Sequence, residues 1–315
     1  MQIYRYLSRA RGYQPRLAVA VDGGPAVDLL EAWDEVTGTR LKTDRTHFLV
    51  STLRLIEEGP EVWSEVRDVT KAASHLPSLH VDRSSPDVRL LCPMDFVASL
   101  RDFLAFEDHV KRGAQRRGSD VPGYWYEAPV YYKGNRRSLL GPEEECPWPP
   151  YTEHLDFELE LAMILGRRGR DISGDKVQEH IFGFTVFNDF SARDVQMREV
   201  SAWLGPAKGK DFANAFGPCI VTCDEVGSEP DLTMICRVNG EEWGRGRSSD
   251  AYWSWAQILE HVSNCEDVYP GEVYGSGTPG GCCGLDIGRK IQPGDVVELE
   301  IEKIGTLRNK IGPKP

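Results

Sequence analysis

Hydrophobic and polar positions alternate without a break over residues 155–161, Leu-Asp-Phe-Glu-Leu-Glu-Leu. A period of two is the strand signature, because side chains at i, i+2 and i+4 share one face. Leu155, Phe157, Leu159 and Leu161 therefore point one way, and Asp156, Glu158 and Glu160 the other. Further strand patterns run over 16–22 and 26–30, joined by a Gly23-Gly24 turn, and over 183–189, 219–223, 232–239 and 295–303. Helical spacing is read over 46–58, 61–74, 101–112, 175–180 and 253–262, and from Ser191 onward. Residues 80–93, with Ser84-Ser-Pro-Asp87 at their centre, read as a linker. The pattern predicts a small N-terminal α+β domain over residues 1–90 and a larger domain of strands and helices over 91–315.

With 315 residues, 40% hydrophobic and 27% charged, the chain can bury a full core. No run approaches the eighteen or so apolar residues of a membrane span. Residues 1–10 lack the apolar stretch of a signal peptide, which makes the cytoplasm the default location. A formal net charge of −12 argues against nucleic acid or anionic lipid as a partner. An anionic substrate would need a local basic pocket. The eight cysteines show neither Cys-x-x-Cys pairs nor zinc spacing, so buried free thiols in a reducing compartment are expected. The vicinal Cys282–Cys283 pair carries a redox reading as the alternative.

Candidate chemistry starts on the acidic face of 155–161. Two carboxylates about 6.5 Å apart along a strand repel by about 2.5 kcal/mol at an effective dielectric near 20. The face is either a solvated strand surface or a cation site. On a helix over 101–112, Asp102 would lie two turns from His109 on nearly the same face, about 10 Å away. That spacing suits a metal ligand at one end of a small substrate and an acid–base group at the other; the alternative is an amphipathic surface helix. Lys111, Arg112, Arg116 and Arg117 form a basic cluster that is either a wet face or a receiver for a substrate carboxylate. An aromatic-rich loop over 123–135 offers pocket-lining rings with polar handles. The strand 183–189 ends in Asp189, and a helix from Ser191 would turn Asp189, Arg193 and Gln196 in one direction. Loop 205–212 adds Lys208 and Lys210 without the spacing of a Walker A loop. The glycine-rich 274–286 is read as a tight turn that brings Thr278 and backbone amides near a ligand. His47, His75 and His80 are isolated and suit surface or capping roles.

Taken together, Asp102…His109, Asp156-Phe-Glu-Leu-Glu160, Phe187-Asn-Asp-Phe-Ser-Ala-Arg-Asp-Val-Gln196, Gly205-Pro-Ala-Lys-Gly-Lys210, Gly275-Ser-Gly-Thr278 and Ile304-Gly-Thr-Leu-Arg-Asn309 resemble the fumarylacetoacetate hydrolase family over roughly residues 92–315. The resemblance implies a mixed β-roll or β-sandwich with peripheral helices, commonly dimeric. It implies a divalent cation held by Asp102, Glu158, Glu160 and Asp189, and an all-carboxylate set suits Mg²⁺, or Mn²⁺ or Ca²⁺ in its place. His109 matches the general base. Arg193, Gln196 and Lys210 match the groups that hold the substrate and the developing oxyanion, and Tyr132 and Thr278 match substrate contacts. The implied reaction is hydrolysis of a C–C bond in a 1,3-dicarbonyl, acylpyruvate-like substrate. The cation would chelate both oxygens, and His109 would activate a water.

Two departures from the family pattern stand out. The acid expected to pair with the base is Asp286 where a Glu is usual, with Glu107 and Asp108 as alternatives. The family's Tyr after the Arg…Gln block is replaced by Val200-Ser-Ala202, so fumarylacetoacetate itself is not the expected substrate. The alternatives to C–C hydrolysis are a metal-dependent decarboxylase, hydratase or isomerase acting on a 2-oxo acid or enol, and a catalytically silent relative.

Overall fold

The computed structural model describes residues 1–38 and 47–315. Its centre is an eleven-stranded sheet. In spatial order nine of its strands are Val27–Asp28, Arg16–Ala20, Gln2–Ser8, Asn214–Thr222, Ile181–Asp189, Leu159–Leu165, Val273–Gly275, Leu100–Phe103 and Tyr131–Lys133. Val88–Leu90 pairs beside Gln2–Ser8, and Leu139–Leu140 runs parallel to Asn214–Thr222. A four-stranded sheet, Glu241–Arg247, Thr233–Val238, Val296–Ile301 and Gly305–Lys310, packs against it.

The large sheet is buried on both faces, which explains its near-continuous apolar strands. Leu161, Met163, Phe184 and Val186 share one core with Met234, Leu299 and Leu307 of the smaller sheet. Ala162, Ile164, Phe187 and Phe216 face a second core. That core is closed by Leu29, Ala32 and Trp33 of the helix Leu29–Thr37, by Leu55 and Ile56 of Thr52–Glu58, and by Val66 and Val69 of Pro60–Ala73. The result is a mixed α+β fold with peripheral helices, as the sequence led us to expect.

The strand Gln2–Ser8 was not read from the sequence. It joins Asn214–Thr222, with Gln2 opposite Val221 and Ile3 opposite Ile220, so residues 1–90 extend the same sheet. The strand expected at 26–30 shrinks to Val27–Asp28, because the Asp28 carboxylate accepts from the Glu31 amide and caps a helix. Of the helix expected at 46–58, Thr46 lies outside the described residues and the α-helix covers Thr52–Glu58.

The helix expected over 101–112 is not formed as one element. Leu100–Phe103 is a strand, buried at all four positions and hydrogen-bonded on both sides, and the helix begins only at Glu107. Tertiary pairing overrides the local pattern there, so Asp102 and His109 do not share a helix face. The acidic segment is also divided, into Leu155–Asp156 and Leu159–Leu165. Between them Glu158 bridges Cys283 instead of continuing a strand.

Candidate active site

Four elements bring four carboxylates together. Asp102 comes from Leu100–Phe103, Glu158 from the break before Leu159–Leu165, Glu160 from that strand, and Asp189 from the last position of Ile181–Asp189. One oxygen of each lies within 4.8 Å of the others, and all four side chains are buried. Asp102 and Glu160 are separated by the short strand Val273–Gly275, and they meet because Gly275 has no side chain. A Cβ at 275 would stand 2.4 Å from Asp102 Oδ1 and 2.7 Å from Glu160 Oε2.

Donors reach only part of this oxygen surface. Lys210 Nζ donates to Glu158 Oε2 at 2.6 Å and to Asp189 Oδ2, the Tyr132 hydroxyl donates to Asp189 Oδ2 at 2.9 Å, and the Gly277 amide donates to Glu160 Oε2 at 2.9 Å. Asp102 Oδ1, Glu160 Oε1 and Asp189 Oδ1 are buried without a hydrogen-bond partner. Burial pushes Glu160 well above the usual carboxylate range, with Asp102 adding to it. Burial likewise raises Asp102 and Asp189, against the opposing pull of neighbours that include Lys210. For Glu158 burial is outweighed by Arg193, Lys210 and His109, which together hold it below that range. Unpartnered buried oxygens are costly. A hard divalent cation answers all three at once, so the donor set fits the expected metal.

His109 sits on the helix Glu107–Arg117 at the edge of the cluster. Its Nδ1 is 2.8 Å from Asp286 Oδ2, and its Nε2 is 3.9 Å from Glu158 Oε1. Asp286 lies on the short helix Gly284–Ile287. It also accepts from the Gly281 amide at 3.0 Å and pairs with Arg116 Nη2 at 3.0 Å. Burial would raise its pKa, but the bond from His109 and the charges of His109 and Arg116 bring it below the usual range. Asp286, then, is the carboxylate that pairs with His109. Glu107 is taken by Lys111 and Tyr126, and Asp108 by Arg112. Lys111 and Arg112 of the basic cluster are thus spent on their own helix, whereas Arg116 reaches Asp286.

Arg193 begins the helix Arg193–Ser201 and is buried. Its Nη1 lies 2.8 Å from Glu158 Oε1 and donates to Gln196 Oε1 at 3.2 Å, which places Gln196 at the same wall. Its Nε donates to Asp156 Oδ2 at 2.8 Å. Asp156 also accepts the Gly284 and Leu285 amides at 2.9 Å each, so it joins the arginine to the helix that carries Asp286. The sequence set Asp156 apart from the ligands without revealing this bridge. Thr278 is buried, but its hydroxyl donates to the Cys282 carbonyl at 3.2 Å and ties the glycine-rich loop to itself. The aromatic loop braces the His109 helix through Tyr126 Oη, which donates to Glu107 Oε1 at 2.8 Å.

Residues 99–312 match the family described as fumarylacetoacetate (FAA) hydrolase C-terminal. The chain is 32% identical over 307 residues to a mitochondrial oxaloacetate tautomerase of Homo sapiens, covering 94% of this chain and 87% of that protein. It is 35% identical over 188 residues to the 2,4-didehydro-3-deoxy-L-rhamnonate hydrolase of a Sphingomonas species, covering 58% of this chain and 65% of that protein. A solved fumarylacetoacetate hydrolase from psychrophilic Exiguobacterium antarcticum superposes with a TM-score of 0.73 at 26% identity, covering 100% of each chain. No helix among the described residues is long and apolar enough to cross a membrane.

Proposed function

The chain belongs to the fumarylacetoacetate hydrolase family, and from that premise we propose a divalent-cation-dependent enzyme that interconverts the keto and enol forms of a small anionic 2-oxo acid of the oxaloacetate type. The sequence ranked C–C hydrolysis first and decarboxylation, hydration or isomerisation second; likeness to a tautomerase over nearly the whole chain supports placing isomerisation first. The observation that carries the reading is the orientation of His109. Its Nδ1 is held by Asp286, and its Nε2 is turned to the carboxylate cluster. Burial, with the charge of Asp189 adding to it, raises the half-buried Tyr132, and for the buried Lys210 the opposing effect of burial is outweighed by Asp189 and Glu158, so both stay protonated and neither competes as a base.

A divalent cation, Mg²⁺ by preference with Mn²⁺ or Ca²⁺ as substitutes, held by Asp102, Glu158, Glu160 and Asp189, would supply Lewis-acid stabilisation of the enolate. His109 Nε2 takes the proton from the carbon beside the carbonyl and delivers it to the enolate oxygen to give the enol; in reverse it takes the enol O–H proton and places it on that carbon, so one group serves both directions. Asp286 fixes the imidazole tautomer and stabilises the imidazolium. Arg193 and Gln196 orient the substrate carboxylate, and Lys210 keeps positive charge beside the developing oxyanion. Following enol absorbance in oxaloacetate solutions with Mg²⁺ tests this. Faster enol loss without release of CO₂, abolished by His109→Ala, is the expected result, and an unchanged rate rejects it.

C–C hydrolysis of an acylpyruvate-like substrate is the second reading, favoured by the same His109–Asp286 pair beside Lys210 and by the likeness to a Sphingomonas hydrolase. Release of a carboxylic acid and a ketone from such a substrate, faster than the enol reaction, would put it first.

A further inference from the structure

A cavity of about 360 Å³ shares none of its lining residues with the carboxylate cluster. Arg5, Arg136 and Arg137 line it, together with Asp95, Glu144 and Phe96. Three guanidiniums around one cavity run against a chain whose formal net charge is −12.

The two carboxylates there are already engaged. Glu144 is paired with Arg89 and accepts from the Gly141 amide at 2.8 Å. Asp95 accepts from the Ser51 hydroxyl at 2.5 Å and from the Leu53 amide at 3.0 Å. Among the described residues, no carboxylate pairs with Arg5 or Arg137, and Arg5 Nε is buried without a hydrogen-bond partner. Arg136 is held in place: Nη1 donates to the Val97 carbonyl at 3.2 Å, and the guanidinium lies 4.9 Å from the centre of the Phe96 ring. With Glu144 neutralised by Arg89, three positive charges face the single charge of Asp95. A buried guanidinium donor left unmet is costly, and a planar fork of donors matches carboxylate or phosphate oxygens.

We propose that this cavity binds a small dianion, a dicarboxylate or a phosphate, through Arg5, Arg136 and Arg137. The site is distinct from the catalytic cluster yet joined to it along the chain. Arg136 and Arg137 follow the strand Tyr131–Lys133, which carries Tyr132, and Asn135 Nδ2 between them donates to the carbonyl of Asp211, the neighbour of Lys210, at 2.8 Å.

Titration calorimetry of the full Mg²⁺-loaded chain with inorganic phosphate and, separately, with succinate tests the proposal. Saturable binding of at least one probe is expected at millimolar concentration or below, and which probe binds tells phosphate from dicarboxylate. Arg5→Gln and Arg137→Gln should each weaken it by about tenfold or more, with turnover unchanged. Arg137 is exposed, so its variant folds even if the half-buried Arg5 variant does not. Absence of binding by both probes, or binding equally tight in Arg137→Gln and in any folded Arg5→Gln protein, overturns the site. Because the readout is heat of binding, failure here leaves the proposed tautomerase activity standing, and the reverse also holds.

Discussion

His109 and Asp286, 177 residues apart, meet through Nδ1 and Oδ2 at 2.8 Å, and this contact leaves Nε2 as the nitrogen facing the carboxylate cluster. Asp286→Asn keeps the shape but removes the charge that steadies an imidazolium, and it permits the wrong tautomer. The expected result is a fall in kcat of about a hundredfold to ten-thousandfold with a small change in KM. His109→Ala should abolish turnover while Mg²⁺ affinity stays within about threefold, since the four carboxylates remain. Steady-state kinetics with calorimetry of Mg²⁺ binding checks both; unchanged turnover in His109→Ala removes the base from the scheme.

Cation binding should strengthen as pH rises. Burial raises Asp102, Glu160 and Asp189 above their ordinary values, so the metal-free cluster retains protons that a cation must displace. A raised carboxylate contributes stability below its unfolded pKa, about 4, and that contribution is lost as pH rises through the folded value. Glu158 and Asp286, held below the usual range, act oppositely: their contribution is present above the unfolded pKa and is lost on acidification. The gain in Tm on adding Mg²⁺ should therefore keep growing as pH rises above about 4, the ordinary carboxylate value, where unshifted ligands would already be deprotonated. Cation at a hundredfold excess over its Kd is worth about 2.7 kcal/mol. A gain independent of pH would contradict the protonated state of the metal-free cluster.

The chemistry of this site was more legible in the sequence than its geometry. Glu158, Glu160 and Asp189 were readable because charged residues inside apolar strand patterns stand out, whereas Asp102, Arg193 and Lys210, expected on helices and in a loop, were singled out by the family resemblance. Their convergence was not readable, since Asp102 and Glu160 come from strands with a third between them, and only sheet order reveals Gly275 as the gap. Arg101 and Asp102 gave 101–112 an amphipathic look, yet Arg101 is buried in an ion pair with Glu266 and its strand is paired on both sides. Gln2–Ser8 pairs with Arg16–Ala20 across the local turn, with Tyr4 opposite Ala18, and also with Asn214–Thr222 more than 200 residues away; that second, non-local pairing is what no local pattern reveals.

Gly275→Ala tests that gap directly. The new Cβ would fall against Asp102 Oδ1 and Glu160 Oε2, and also 3.0 Å from Phe187 Cδ1. The carboxylates must move apart, and two of four ligands lose their positions. Mg²⁺ affinity should fall at least tenfold, about 1.4 kcal/mol, while the far-ultraviolet circular dichroism spectrum stays native. Native affinity in this variant would mean that the cluster tolerates a wider spacing.

Asp156 touches neither the cluster nor the base, yet it sits between them. One fully buried carboxylate holds the buried Arg193 guanidinium and the first two amides of the Asp286 helix. Asp156→Asn preserves volume but removes the charge opposing Arg193, and it turns an amide N–H₂ towards one of those donors. Breaking a buried pair from one side costs about 3 kcal/mol, which thermal unfolding should report as a clear fall in Tm. Displacement of the Gly284–Ile287 helix would also carry Asp286 away from His109. The pH profile of kcat should then move in Asp156→Asn as it does in Asp286→Asn, although residue 156 makes no contact with His109. A lowered Tm with an unmoved profile would reduce Asp156 to a purely structural partner of Arg193; a shifted profile makes it the group that positions the base.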